Sequence, residues 1–86
     1  MNILQMAALA RDHWKKTNPE IYRQMVEDKA LIECSEAAAR LTQREMDALM
    51  LLKVTEEEAW QGSRHLFIFR TKEQLAEGYR PDHRYP

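Results

Sequence analysis

Residues 30–53 read ALIECSEAAARLTQREMDALMLLK and contain neither glycine nor proline. Apolar or small side chains recur there at steps of three and four residues, interrupted at Glu45; they are Leu31, Cys34, Ala38, Leu41, Ala48 and Leu52. An adjoining stripe is formed by Met46, Leu49 and Met50. Such steps place side chains on one face of an α-helix. The stretch therefore predicts a helix of about 35 Å, at about 1.5 Å of rise per residue, with its leucine stripe buried.

Two shorter helices are predicted before this stretch. The first covers residues 2–16, where the same spacing is kept by Ile3, Ala7, Ala10 and Trp14. Asn18 then precedes Pro19, and this pair predicts the start of a second helix, because asparagine is a favoured N-cap and proline fits the first helical position. Residues 27–29 are polar and contain no glycine or proline. A kink or short turn is expected there.

A capping box follows the long helix. Thr55 and Glu58 stand three residues apart, so each side chain can bond the backbone N–H of the other, and a helix beginning at Glu56 is predicted. Residues 66–69 read LFIF, which suits either the end of that helix or a strand. The helix is favoured because a lone strand would have no partner elsewhere in the chain.

The same capping pattern recurs near the C-terminus. Thr71 is followed by Gln74, which predicts a short helical turn over residues 72–77 that Gly78 ends. Residues 79–86 are polar and bounded by prolines. They are expected to form a loose tail unless a partner holds them.

Length and composition set the fold class. The 86 residues are 44% hydrophobic and 31% charged, with two glycines and three prolines, which favours a folded, helix-rich chain over a disordered or collagen-like one. A chain of this length forms one domain. The sequence predicts an all-α fold, a compact bundle of three to four helices, with a single domain over residues 1–78 and a short tail.

Charge and targeting patterns argue for a cytoplasmic protein. Thirteen basic and fourteen acidic residues give a net charge of −1, too balanced for a field that draws the whole chain to nucleic acid or an anionic membrane. The chain has no run of about 18 apolar residues that could span a membrane. Arg11 and Asp12 interrupt the apolar stretch that a secretory signal would need near the N-terminus. The single cysteine excludes an intramolecular disulfide, as is usual in a reducing compartment.

The sequence carries no recognisable catalytic or metal-binding motif. The strongest metal-ligand types are His13, His65, His83 and Cys34, and no two stand three or four residues apart. His13 is expected at a core edge with a ring nitrogen in water, and Cys34 as a small buried residue. Phosphate-binding loops, glycine-flanked serine nucleophiles and HExxH are absent as well. We therefore expect a protein without catalytic residues, metal or cofactor.

Aromatic and arginine side chains near the C-terminus suggest a contact surface instead. Such residues dominate binding hot spots, and they exceed what a small core covers easily, although Trp14 and Trp60 can also serve as core anchors. The residues predicted to bind a larger protein partner are Trp60, Arg64, Phe67, Phe69, Arg70, Tyr79, Arg80, Arg84 and Tyr85.

A family resemblance adds a biological context. The chain carries Asp12-His13-Trp14-Lys15, then Pro19 and Tyr22, then Ala37-Ala38-Ala39 and Glu58-Ala59-Trp60. This order resembles the short TnpV-like helical proteins of phages and mobile elements, over roughly residues 7–70. The resemblance implies a small accessory protein that binds and blocks or redirects a host machine, in its sharpest form an inhibitor of a host defence complex of the anti-CRISPR type. It transfers no role to any residue.

Two alternatives stay open at this point. The first is a nucleic-acid accessory that contacts phosphates through its basic residues, which would be Arg64, Arg70, Lys72, Arg80 and Arg84. The second is a small enzyme, kept only as a residual class. A homodimer is a separate expectation, since burying the long helix over residues 30–53 in so small a domain could require a second copy.

Overall fold

The computed structural model describes residues 1–79, which fold into five α-helices without a strand. The helices are α1 Ile3–Thr17, α2 Pro19–Glu27, α3 Leu31–Met50, α4 Glu56–Phe67 and α5 Lys72–Gly78. The all-α prediction is confirmed, whereas the expected count of three to four helices is wrong. Five helices form because the turn after α2 and the capping box before α5 each separate a short helix from its neighbour.

Local capping explains where the helices begin. Reciprocal capping boxes start α1 at Asn2, α4 at Thr55 and α5 at Thr71. The side chain of Asn18 accepts a hydrogen bond from the backbone N–H of Ile21 and so caps α2. The predictions for α2, α4 and α5 are confirmed, because a cap depends on residues only three positions apart.

The turn expected over residues 27–29 ends α2. Lys29 has a left-handed backbone with φ of 57°, its N–H donates to the carbonyl of Val26 at 3.1 Å, and the N–H of Ala30 donates to that of Met25 at 2.8 Å. These two bonds make a Schellman motif with lysine in the position that usually holds glycine. Gly78, in contrast, is the last residue of α5 and has no positive φ.

The long helix α3 lies between α1 and α4 and packs mainly against these two. Its buried face is formed by small or polar residues and one methionine, namely Ser35, Ala38, Ala39, Thr42 and Met46. The predicted burial of the leucine stripe is wrong except at Ala38, since Leu41 is 41% exposed and Leu52 is 74% exposed. The helix also ends at Met50 and does not reach residue 53 as predicted, so Leu52 lies beyond it. Small side chains let neighbouring helices pack closely. The buried face of α1 also contains small residues, Ala7 and Ala10.

Large side chains fill the remaining core. Trp14 and Trp60 are both buried, so both anchor the core, and Ile68 and Leu75 are buried beside the end of α4 and in α5. The ambiguous stretch 66–69 is therefore the end of a helix followed by a buried isoleucine, and it forms no strand.

Three side chains at the end of α1 hold the linker between α4 and α5, residues 68–71, and the first residue of α5. The indole Nε1 of Trp14 donates to the carbonyl of Ile68 at 2.9 Å, and the side-chain amide of Asn18 donates to the carbonyl of Lys72 at 3.0 Å. The Nε2 of His13 lies 3.0 Å from the carbonyl oxygen of Arg70 and 3.1 Å from the Oγ1 of Thr17. It bonds the carbonyl in the tautomer that carries the proton on Nε2, because a carbonyl only accepts. His13 is at a core edge as expected, but this nitrogen meets the linker instead of water.

Replacing Ser63 by alanine is expected to raise the free energy of unfolding by about 0.5–1 kcal/mol. Its hydroxyl is fully buried and has no hydrogen-bond partner within the described chain, so alanine removes an unpaired group and is a better helix former. Urea denaturation followed by circular dichroism measures the change.

The matched control is Ser35→Ala. Ser35 is equally buried, but its hydroxyl accepts from Arg11 at 2.9 Å and donates to the carbonyl of Ile32 at 3.0 Å. This change is expected to lower the free energy of unfolding by about 1 kcal/mol. Equal losses in the two variants would contradict the assignment of an unpaired hydroxyl to Ser63.

Candidate partner-binding groove

An open cavity of about 210 Å³, here called the groove, lies between α3 and the C-terminal helices. Trp14 of α1 and Met25 of α2 contribute to its lining. The other residues that line it are Cys34, Ala37, Ala38, Leu41, Phe67, Arg70, Leu75, Gly78 and Tyr79. Apart from one arginine, the lining consists of apolar, small or aromatic residues.

One wall of the groove is the N-terminal half of α3. Cys34, Ala37 and Leu41 line it at three- and four-residue steps. Cys34 is half-buried on this wall, more accessible than the small core residue that the sequence predicts. The apolar stripe seen in the sequence is therefore real, but in this half of the helix it lines an open cavity and leaves the contact with α1 and α4 to smaller residues.

The opposite wall contains Phe67 and Arg70. The Cζ of Arg70 lies 5.4 Å from the centre of the Phe67 ring, in a cation–π arrangement, and its Nε donates to the carbonyl of Leu66 at 2.8 Å. Gly78 makes room for this guanidinium, since a Cβ at Gly78 would stand only 2.8 Å from an Arg70 Nη atom. The arginine is thus held in a defined position at the groove.

Tyr79 ties the end of α5 to α2. Its hydroxyl donates to the Oδ2 of Asp28 at 2.6 Å, a short bond of the charge-assisted kind. Asp28 is also the C-cap of α2. Tyr79, with which the expected tail begins, therefore packs against the fold and lines the groove.

The structure brings together three of the residues predicted to bind a partner, which are Phe67, Arg70 and Tyr79. Trp60 is not an exposed contact residue, since it is 7% exposed and belongs to the core. Phe69 is half-buried and packs edge-on against Trp60, with ring centres 5.9 Å apart. Arg64 is half-buried on α4 and does not line the groove.

The remaining predicted contact residues, Arg80, Arg84 and Tyr85, lie outside the described residues. The nucleic-acid alternative depends on the first two of them. Of its other basic residues, Arg70 is already engaged with the Phe67 ring and the Leu66 carbonyl.

Sequence reasoning missed the α3 wall as part of a site. Cys34, Ala37 and Leu41 have the spacing of a core stripe, and hydrophobicity alone assigns them to the core. One feature of the sequence separates a groove wall from a core stripe. It is a second face of α3, about a third of a turn from the first, made of Ser35, Ala39 and other small residues. When one helix carries two adjoining faces that can be buried, only packing decides which is covered.

The groove suits side chains of a partner better than a cofactor. Pockets for small-molecule ligands usually span about 300–1,000 Å³, and the groove, at about 210 Å³, is smaller. A cavity of about 150 Å³ accepts a benzene ring, so one or two apolar side chains fit here.

Within residues 1–79 no three histidine, cysteine or acidic residues are grouped as metal ligands. None of the helices in this part is both long and apolar enough to cross a membrane.

Comparisons of the chain with protein-family models, with curated proteins and with solved structures find no match.

Proposed function

We propose that this chain is a cytoplasmic, non-enzymatic module that binds a larger protein through the groove. The observation that supports this function is the juxtaposition of Phe67, Arg70 and Tyr79 on one mostly apolar cavity. Aromatic and arginine residues around a pocket that excludes water are the usual composition of a binding hot spot. Burial of one or two partner side chains would supply the affinity.

Exposed apolar residues around the cavity favour the same function. Leu41 on the α3 wall and Leu66 beside Arg70 are 41% and 43% exposed, so a bound segment would cover surface that water now contacts. Each 100 Å² of apolar surface removed from water contributes about 2.5 kcal/mol before the cost of association is subtracted. Covering this apolar surface would therefore contribute favourably to the binding of a partner segment.

The narrower form of the proposal rests on the resemblance to TnpV-like proteins. In that context the larger partner is a host machine, and the chain is an inhibitor of a host defence complex of the anti-CRISPR type. Plaque formation by a phage that the defence system targets measures this form, with and without expression of the chain. An unchanged number of plaques would refute the proposal that the chain inhibits a host defence complex. The broader proposal of a protein-binding module would still be tested by the capture experiment below.

Replacing Leu41 by glutamate is expected to reduce recovery of the partner from host lysate at least tenfold. The substitution places a charge on the α3 wall, and the fold should tolerate it because Leu41 is partly exposed. Tagged wild-type and variant chains are compared by affinity capture and quantitative mass spectrometry, with circular dichroism to check folding.

The control variant is Leu4→Glu, which makes the same change at a leucine that is 69% exposed on α1 and does not line the groove. Capture by this variant should equal capture by the wild type. Loss of the same proteins from both variants, or their full retention by Leu41→Glu, would refute binding through the groove.

A further inference from the structure

Arg70 is a half-buried cation at the groove without a described carboxylate partner. The ion pairs of residues 1–79 join Met1 to Glu56, Lys16 to Asp12 and Arg40 to Glu36, and none of them includes Arg70. Its Nε bonds the Leu66 carbonyl, whereas its two Nη groups make no hydrogen bond to the described residues. A guanidinium carries its charge at any relevant pH.

The position of this guanidinium is fixed before any partner arrives. The hydrogen bond from Nε to the Leu66 carbonyl holds one edge of the Arg70 guanidinium, and the centre of the Phe67 ring lies 5.4 Å from its Cζ. Gly78, which has no side chain, leaves space for one of the Nη atoms. Binding a negative group here would thus cost little side-chain entropy, since the fork is already oriented. The same cation borders an apolar cavity, where an ion pair is screened less than on an open surface.

We propose that the groove binds a short partner segment that inserts one or two apolar side chains into the cavity and places a carboxylate on the Nη groups of Arg70. This inference rests on the proposed function and names the chemistry of the partner at the same site. The carboxylate comes either from an aspartate or glutamate side chain or from a free C-terminus, and both accept the planar fork of arginine in the same way.

The surrounding charge favours a carboxylate over a phosphate group. Arg70 is the only charged side chain that lines the groove within the described chain, and Glu77 lines a neighbouring cavity together with it. A single cation balances one negative charge, whereas a dianion would need further basic residues and would be repelled more strongly by Glu77. The partner segment is therefore apolar with a single acid.

The experiment selects peptides on the immobilised full-length chain from two random 12-residue libraries. One library presents a free C-terminus and the other is fused through its C-terminus. Enriched peptides should combine one or two large apolar residues with one acid. Enrichment in both libraries identifies a side-chain carboxylate, and enrichment in the first library alone identifies a terminal one.

A double-mutant cycle then tests the pairing with Arg70. Arg70→Gln should weaken the best acidic peptide at least tenfold, and amidation or glutamine replacement of the peptide's acid should weaken binding to the wild type equally. The two changes together should cost no more than either one alone. Arg70→Lys keeps the charge without the fork and should recover part of the affinity. Additive losses would overturn the pairing.

The outcomes separate this inference from the proposed function. If no peptide is enriched, both fail. If enriched peptides lack an acid, or bind Arg70→Gln as tightly as wild type, the carboxylate inference fails and binding through the groove stands.

Alkylation of Cys34 tests what occupies the groove, because Cys34 is the sole cysteine and lies on the α3 wall. Saturating peptide should slow alkylation by iodoacetamide severalfold. In the free chain the rate should not change with protein concentration. Slowing with concentration would assign the groove to a second copy and would overturn the proposal.

Discussion

Replacing Trp14 by alanine is expected to lower the free energy of unfolding by about 3–5 kcal/mol. Trp14 is 3% exposed, it lines the inner side of the groove, and its indole bonds the carbonyl of Ile68. The change leaves both a cavity and an unpaired buried carbonyl. Urea denaturation measures the loss, and a small domain with about 5 kcal/mol of stability would be largely unfolded by it.

Trp14→Phe separates the hydrogen bond from the packing. It keeps most of the ring but removes the donor 2.9 Å from the Ile68 carbonyl, at an expected cost of about 1–3 kcal/mol. Trp60→Phe is the matched control, because Trp60 is nearly as buried and its indole bonds no described residue. The control should cost about 1 kcal/mol or less. Equal costs would show that the indole bond does not hold the linker.

Helix starts could be predicted from the sequence because caps are local. The Thr55–Glu58 and Thr71–Gln74 pairs each form a reciprocal box, as their three-residue spacing predicts. Asn18 caps α2 for the same reason. The expected count of three to four helices was too low because the sequence predicts only a kink or short turn over residues 27–29 and a single turn over residues 72–77. In the structure a left-handed Lys29 ends α2, and Lys72–Gly78 form the helix α5.

The packing of α3 could not be predicted, because hydrophobicity ranks leucine above serine and alanine. The face that is buried holds Ser35, Ala39 and Thr42, which are small enough for α1 and α4 to approach from two sides. How closely the helices pack depends on all three of them together, so the sequence of one helix does not reveal it. As a consequence, Cys34 and Leu41 of the predicted stripe line the groove, and Leu52 is exposed.

The candidate site was half predictable for a related reason. Phe67, Arg70 and Tyr79 stood out by residue type, since aromatics and arginine are typical of contact surfaces. Their meeting with Leu41 depends on how the linker between α4 and α5 runs, and that path is set by side chains more than 50 positions earlier in the chain, such as the indole of Trp14. Such pairings leave no periodic signal in the sequence.

Replacing Asn18 by alanine is expected to lower the free energy of unfolding by about 2–3 kcal/mol, because one buried side chain serves two helices. Its oxygen caps α2 through the N–H of Ile21, and its amide donates to the carbonyl of Lys72 in α5 at 3.0 Å. Loss of the second bond frees the start of α5, which carries Tyr79 to the groove. Urea denaturation measures the stability, and hydrogen exchange of the α5 amides measures the loosening.

Asn18→Asp distinguishes the two bonds. A carboxylate still accepts from the N–H of Ile21 and keeps the cap, but it cannot donate to the Lys72 carbonyl and repels it. Stability should fall by about 1–2 kcal/mol, the amides of α2 should keep their protection, and those of α5 should exchange faster. Peptide binding at the groove should weaken in parallel, because Leu75 and Tyr79 reach it from α5. Full protection of α5 in this variant would mean that the Trp14 and His13 bonds to the linker are sufficient to hold the helix, and that Asn18 acts on α2 alone.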